Sequence, residues 1–274
     1  MRDMVATSPP EKTMIALRRR AFLFGLLVRR DIESQFRGSI LGLAWVVLIP
    51  ASLVLIYTFV FGVVLKMNWT RPTGNPLDVP LIYFFGISLF AFFMEVILRA
   101  PRCLHENAAY VTKVVFPLEM LVWVQVSTAL VKLAINLVLL GVLSAVFGSG
   151  VPAAALLLIA WIAPLVLMSA GIAYAMAAIG AYVKDLSHVL QAVGPILVFM
   201  SPVFYSLGQV PAAYHAVYMA NPLTLALENG RGLLFPGQPH EWTTWPVYLL
   251  AALAVLWLGR RFFARMRPGF ADVV

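Results

Sequence analysis

The chain has 274 residues, of which 62% are hydrophobic and only 12% charged, against roughly 45–50% and about 25% in soluble domains. That apolar load excludes a water-soluble globule and requires a lipid bilayer as the solvent. The net charge of +8 does not by itself signal nucleic acid, because Lys and Arg gathered at the inner ends of membrane helices give the same excess.

The N-terminal residues 1–15 read as a cytoplasmic tail. The apolar piece "AFLFGLLV" that follows lies between "RRR" and "RRD", too short to span and without a small-residue cleavage site. Leu17, Ala21, Phe24, Val28, Ile32 and Phe36 recur at steps of three or four, which predicts an amphipathic helix over 16–38 lying at the headgroup plane. A polar linker with chance periodicity is the alternative. At "ESQFRGSILGLAWVVLIP" (33–50) this helix turns into the first span. Arg37 marks the headgroup boundary, Gly38 and Ser39 permit the bend, and Pro50 is either a kink or a hinge.

Six apolar runs of about 20 residues, the length that crosses a bilayer core, fall at about 40–65, 81–98, 118–147, 151–183, 189–207 and 243–259. An even number puts both termini on one side. Of the 20 Lys and Arg, only Lys66, Arg71 and Arg231 stand opposite the rest, with Lys132 inside a span, so the positive-inside rule places both termini in the cytoplasm, with the tail at 260–274. Between the fifth and sixth runs, 208–242 is too long for a turn and too amphipathic for a span. Asn221 followed by Pro222 signals a helix start, and "PGQP" stops that helix near Phe235. A short helix around 212–219 precedes it, and both are read as external or re-entrant.

The chain has no phosphate-cradling GxxxxGK[ST], no nucleophile elbow, no HExxH and no carboxylate cluster, so no catalytic residue is assigned and no ATP hydrolysis is expected. The one cysteine, Cys103, and the scattered His105, His188, His215 and His240 give no disulfide framework and no metal site. The intramembrane charges Glu95 and Lys132 are functional candidates. Counting about 1.5 Å per residue from the cytoplasmic ends of their spans puts Lys132 far deeper than Glu95; Arg99, one turn away, is therefore the expected partner of Glu95. Tyr57, Phe59 and Phe61 in the outer half of the first span, and Phe199, Phe204 and Tyr205 in the fifth, are either an interfacial aromatic belt or rings lining a cavity.

Four stretches in order carry a resemblance over nearly the whole chain: "RRDIESQFRGSILGLAWVVLIPASLVLIYTFVF", "ENAAYVTKVVFPLEML", "NPLTLALENGRGLLF" and the terminal "RPGFADVV". Together they resemble the permease subunits of type-2 ABC exporters of O-antigen, capsular polysaccharide and teichoic acid. The resemblance implies an all-α polytopic subunit of the bacterial inner membrane that pairs with a second copy of itself. It also implies two copies of a separate ATPase, which hold the ATP and Mg; this chain carries no cofactor. The implied cargo is a polyprenyl-pyrophosphate-linked glycan, O-antigen above all, moving through a channel between the two copies.

Carried onto this sequence, the coupling loop maps to 104–116, with His105, Glu106, Asn107, Tyr110 and Lys113. Arg29, Arg30 and Arg37 would receive the lipid pyrophosphate. Trp45, Tyr57, Phe59, Phe61, Phe199, Phe204 and Tyr205 would line the substrate path, and Tyr218, Asn221, Pro222 and Arg231 would form the external gate. Competing readings are an ion-coupled carrier or channel without an ATPase, using Glu95 and Lys132, and a type-2 ABC permease for a drug or lipid. A membrane enzyme acting on lipid-linked sugars is the weakest, for want of a catalytic cluster.

Overall fold

The computed structural model describes residues 10–64, 75, 77–112 and 116–274. The tail 1–9, the end of the first apolar run at Leu65, Lys66, Arg71 and Lys113 lie outside the described residues, as do the side chains of Lys12, Leu17, Arg18, Arg19, Arg20 and Phe61. Among the described residues all regular structure is helical, with no strand.

Helix α1 (Pro10–Gln35) ends in a corner built on glycine. Gly38 sits at φ +83° and Gly42 at φ +49°, backbone that a side chain would strain. Ser39 N donates to Phe36 O at 3.1 Å and Gly42 N to Ser39 O at 3.2 Å. A tight turn over Gly42–Ala44 then feeds α2 (Trp45–Tyr57), which continues with wider π-type winding over Thr58–Val64. The indole of Trp45 folds back and donates to Ser39 Oγ at 2.8 Å, fixing the corner from inside.

Among the described residues, five segments are long and apolar enough to cross a membrane: Gly42–Val60, Asp78–Arg102, Glu119–Phe147, Ala153–Tyr182 and Trp245–Val273. They contain α2, α3 (Asp78–Arg99), α5 (Glu119–Phe147), α6 (Leu158–Tyr182) and α10 (Trp245–Met266). Helix α4 (Ala108–Thr112) lies in the loop between α3 and α5. In the fifth apolar run, α7 covers only Leu186–Phe199, about 21 Å at helical rise. It stops because Pro202 has no N–H to return to Val198, and the chain turns through 200–206 instead of continuing to 207.

Helix α3 is the centre of the bundle, packed on α2, α5, α6, α7 and α9 (Pro222–Leu234). Its apolar side chains Ile82, Phe84, Phe85 and Leu89 are almost wholly buried. Helices α6 and α10 approach backbone to backbone: a Cβ added to Gly259 would lie 1.9 Å from Gly171 O. Without a hydrophobic force between helices in lipid, such small-residue contact supplies the packing. Past α10 the chain folds back through α11 (Phe270–Val273), whose Phe270 is buried on Phe263 (centroids 5.2 Å apart) and Tyr182 (6.1 Å).

Candidate functional site

At the arginine-rich end, a chain of charges links α1 to α3 and α5. Arg99 grips Asp31 with both nitrogens, at 2.7 and 3.0 Å. Glu95 accepts from Lys132 Nζ at 2.7 Å and lies 3.6 Å from Arg99 Nη1; Lys132 also reaches Gln35 Oε1. The expected order is thus corrected: Lys132, not Arg99, is the near partner of Glu95. Depth counted from the helix ends misled because the ends are not level. Gln125 Nε2 donates to Arg99 O at 3.4 Å, so Glu119 to Val124 extend about 9 Å past the level of Arg99. From that register Lys132 and Glu95 differ in height by only about 4 Å, within the reach of a lysine. Periodicity alone turns the polar residues Asp31 and Gln35 of α1 toward the headgroups, and nothing in the apolar run of α5 marks Gln125 as a contact to α3. Their i, i+4 spacing, Asp31 to Gln35, is the signal that a second polar face existed.

Beside this network, Arg30 donates to Tyr110 Oη at 3.1 Å and Asn107 Oδ1 at 3.4 Å, with its guanidinium 5.6 Å from the Tyr110 ring centre. Asn107 in turn donates to Cys103 O at 2.9 Å. Tyr110 packs at a tilt against Phe116, His105 is half-buried and Glu106 exposed. The segment His105–Thr112 is therefore strapped to α1 on one side, and α11 touches α4 on the other. Cys103 is buried beneath it; desolvation, with the charge of Glu106 adding, pushes its thiol up to about 12. Arg29 pairs with Glu33 at 2.7 Å on the open surface, and Arg37 is exposed.

The opposite end is a polar lattice around α9. Asn221 Oδ1 accepts from Leu223 N at 2.9 Å, and its amide donates to Met200 O at 3.2 Å and Ser201 Oγ at 2.8 Å. Arg231 donates to Val203 O at 2.5 Å, to Tyr205 O at 3.2 Å and to Glu228 at 3.2 Å. These two side chains satisfy the carbonyls left open where α7 breaks, which a buried backbone demands. Arg231 is 2% exposed; burial lowers its pKa to about 10 against the opposing charge of Glu228, so it stays ionised at neutral pH. Gly86 on α3 makes room, since a Cβ there would lie 2.9 Å from both Arg231 Nη2 and Val203 O. Glu228, absent from the sequence reading, is the hub: Ser206 Oγ and Leu207 N also donate to it, each at 3.1 Å. Tyr248 donates to Pro222 O at 2.6 Å. Buried Asp78, also unread, anchors the start of α3 by accepting from Ser149 N at 2.9 Å.

The aromatic candidates fall into three groups. Trp45 belongs to the corner. Tyr57 is half-buried on α2, where Phe59 is 60% exposed. Phe199, Phe204 and Tyr205 gather at the cap: Phe204 packs between Tyr83 and Phe199, while Tyr205 donates to Phe199 O and meets Tyr218 Oη at 2.9 Å. Beside α8 (His215–Ala220), Tyr205, Tyr214 and Tyr218 line one groove of about 520 Å³. Among the described residues no three metal-ligating groups converge.

Two curated relatives match the chain over nine tenths or more of its length. The O-antigen export system permease protein RfbA of Myxococcus xanthus is 25% identical over 252 residues, 90% of this chain and 94% of the relative. The protein of the same name from Klebsiella pneumoniae is 20% identical over 262 residues, 92% and 96% of the two chains. Residues 23–235, from α1 to the end of α9, match the family model of the ABC-2 type transporter. This chain therefore belongs to the ABC-2 type transporter family, as a transport subunit.

Proposed function

We propose that the chain is the membrane-spanning subunit of an ATP-driven exporter that moves polyprenyl-pyrophosphate-linked polysaccharide, of the O-antigen kind, across the bacterial cytoplasmic membrane. The likeness to O-antigen export permeases over 90% or more of the chain carries the reading. The arginine-rich end faces the cytoplasm by the positive-inside rule, with the helix α1 at the inner headgroups, α7 and its turn completing a sixth crossing, and the cap around α9 outside.

In this reading a separate ATPase docks on His105–Thr112 at the cytoplasmic face. Arg30 ties that segment to α1, so a push from the ATPase reaches the interface helix directly. Arg29 and Arg37, exposed near the corner, offer positive charge to the lipid pyrophosphate, where each basic residue is worth about 1 kcal/mol toward anionic headgroups. Two copies meet along α2 and α7, and the glycan passes between them over Phe59 and Phe199 to the tyrosine groove of the cap. The ion-coupled alternative needs Glu95 and Lys132 to exchange ions with water; each is already paired with the other, which favours the ATP-driven reading.

The test is transport of lipid-linked glycan into proteoliposomes holding the chain and its ATPase. Uptake that stops with a hydrolysis-dead ATPase is the expected result; uptake that continues would overturn the reading in favour of a carrier.

A further inference from the structure

Helix α8 is a partition. Tyr214 and Tyr218 line the aromatic groove on one side, whereas His215 lines a separate cavity of about 440 Å³ on the other, within the roughly 300–1,000 Å³ of small-molecule sites. Glu228 and Asn229 of α9 and His240 and Glu241 of the loop before α10 complete its polar wall. That wall is held in place. Glu228 is fixed by Ser206, Leu207 and Arg231, Asn229 Oδ1 accepts from Glu241 N at 2.7 Å, and the His215 ring meets Val210 O at 2.8 Å.

Carboxylate, amide and imidazole groups in one recess both accept and donate hydrogen bonds, the mixture that sugar hydroxyls require. A metal cage is not formed there, since no three ligating groups converge among the described residues. Arg231 neutralises Glu228, which weakens the pull of that side of the recess on a free cation. We propose that it is a sugar subsite: one residue of the exported chain seats its hydroxyls here while a neighbouring residue stacks on the tyrosines across α8. The assignment rests on the glycan-export reading above.

The test uses the full chain with its ATPase in cells that make the glycan, with a benzophenone amino acid in place of His240 or, separately, of Phe59 on the proposed path. Light should give glycan adducts at both positions. Glu241→Gln, on the exposed rim, should lower the yield at position 240 about tenfold through one lost charged hydrogen bond. Adducts at position 59 but not at 240 would overturn the subsite and leave export standing. Adducts at neither would overturn export as well. Adducts at 240 that persist in cells unable to make the lipid-linked glycan would identify a resident glycolipid and also overturn the proposal.

Discussion

Helices α2 and α3 are equally apolar, yet 72% of the apolar stretch of α3 is buried inside the chain and 11% of that of α2. In lipid, apolar side chains gain little by leaving acyl chains for each other, so hydropathy places a helix in the bilayer without choosing its neighbours. What centres α3 is polar anchorage and close approach. Asp78 holds one end, Glu95 and Arg99 the other, and Gly86 admits Arg231 between them. Along α2 and the π-wound turn after it, the hydroxyls of Ser52 and Thr58 donate back to Ile49 O and Val54 O, and Leu55, Ile56 and Phe59 are exposed. That face is left for lipid or a second copy.

The contrast can be broken at α3. Gly86→Leu drives a side chain into Arg231 and Val203 O and is expected to destabilise the chain by about 3 kcal/mol or more, read as a fall in the unfolding midpoint in detergent. Val47→Leu on the exposed side of α2 should stay within about 0.5 kcal/mol. Equal effects would end the distinction. Phe270→Ala removes the aromatic plug under α4, about 3 kcal/mol of local packing. Faster proteolysis of the tail and weaker ATPase-linked export at normal membrane levels are expected; unchanged export would mean that the tail does not support the coupling segment.

A smaller effect is expected in the charge chain. Glu95→Gln leaves Lys132 without its counter-charge, at a cost of about 2 kcal/mol for this partly exposed pair. Adding Lys132→Met should recover about 1 kcal/mol of that, and strict additivity in the cycle would show the two to be uncoupled. The smallest change is chemical. Cys103 is fully buried and its thiol is pushed up to about 12. Its neutral form therefore persists through pH 8, and maleimide should label the unfolded chain but not the folded one.

The same physics decides what the sequence disclosed. Five of the six apolar runs and the turn at Gly38 were legible because composition and a left-handed glycine are local properties. The start of α9 was equally local, since Asn221 caps with its own side chain and Pro222 suits the first helical position. Register was not local. Whether Lys132 reached Glu95 depended on how far α5 extends past Arg99, and only the Gln125 contact settles it. Nor could the break of α7 after Phe199 be placed from its apolarity alone, because its open carbonyls are met by Asn221 and Arg231 from a helix more than 20 residues on. Asp31 and Glu228 were overlooked for the same reason: each looks like a surface charge until its distant partner is known.

In the proposed exporter the open face of α2 is covered by a second copy and borders the glycan path. Because Cys103 is buried, a single cysteine introduced as Phe59→Cys reports contacts of that face alone. Oxidation in native membranes should give a covalent dimer and halt glycan export, with both reversed by reductant. A chain that stays monomeric under the same oxidation, with export undisturbed, would contradict the account.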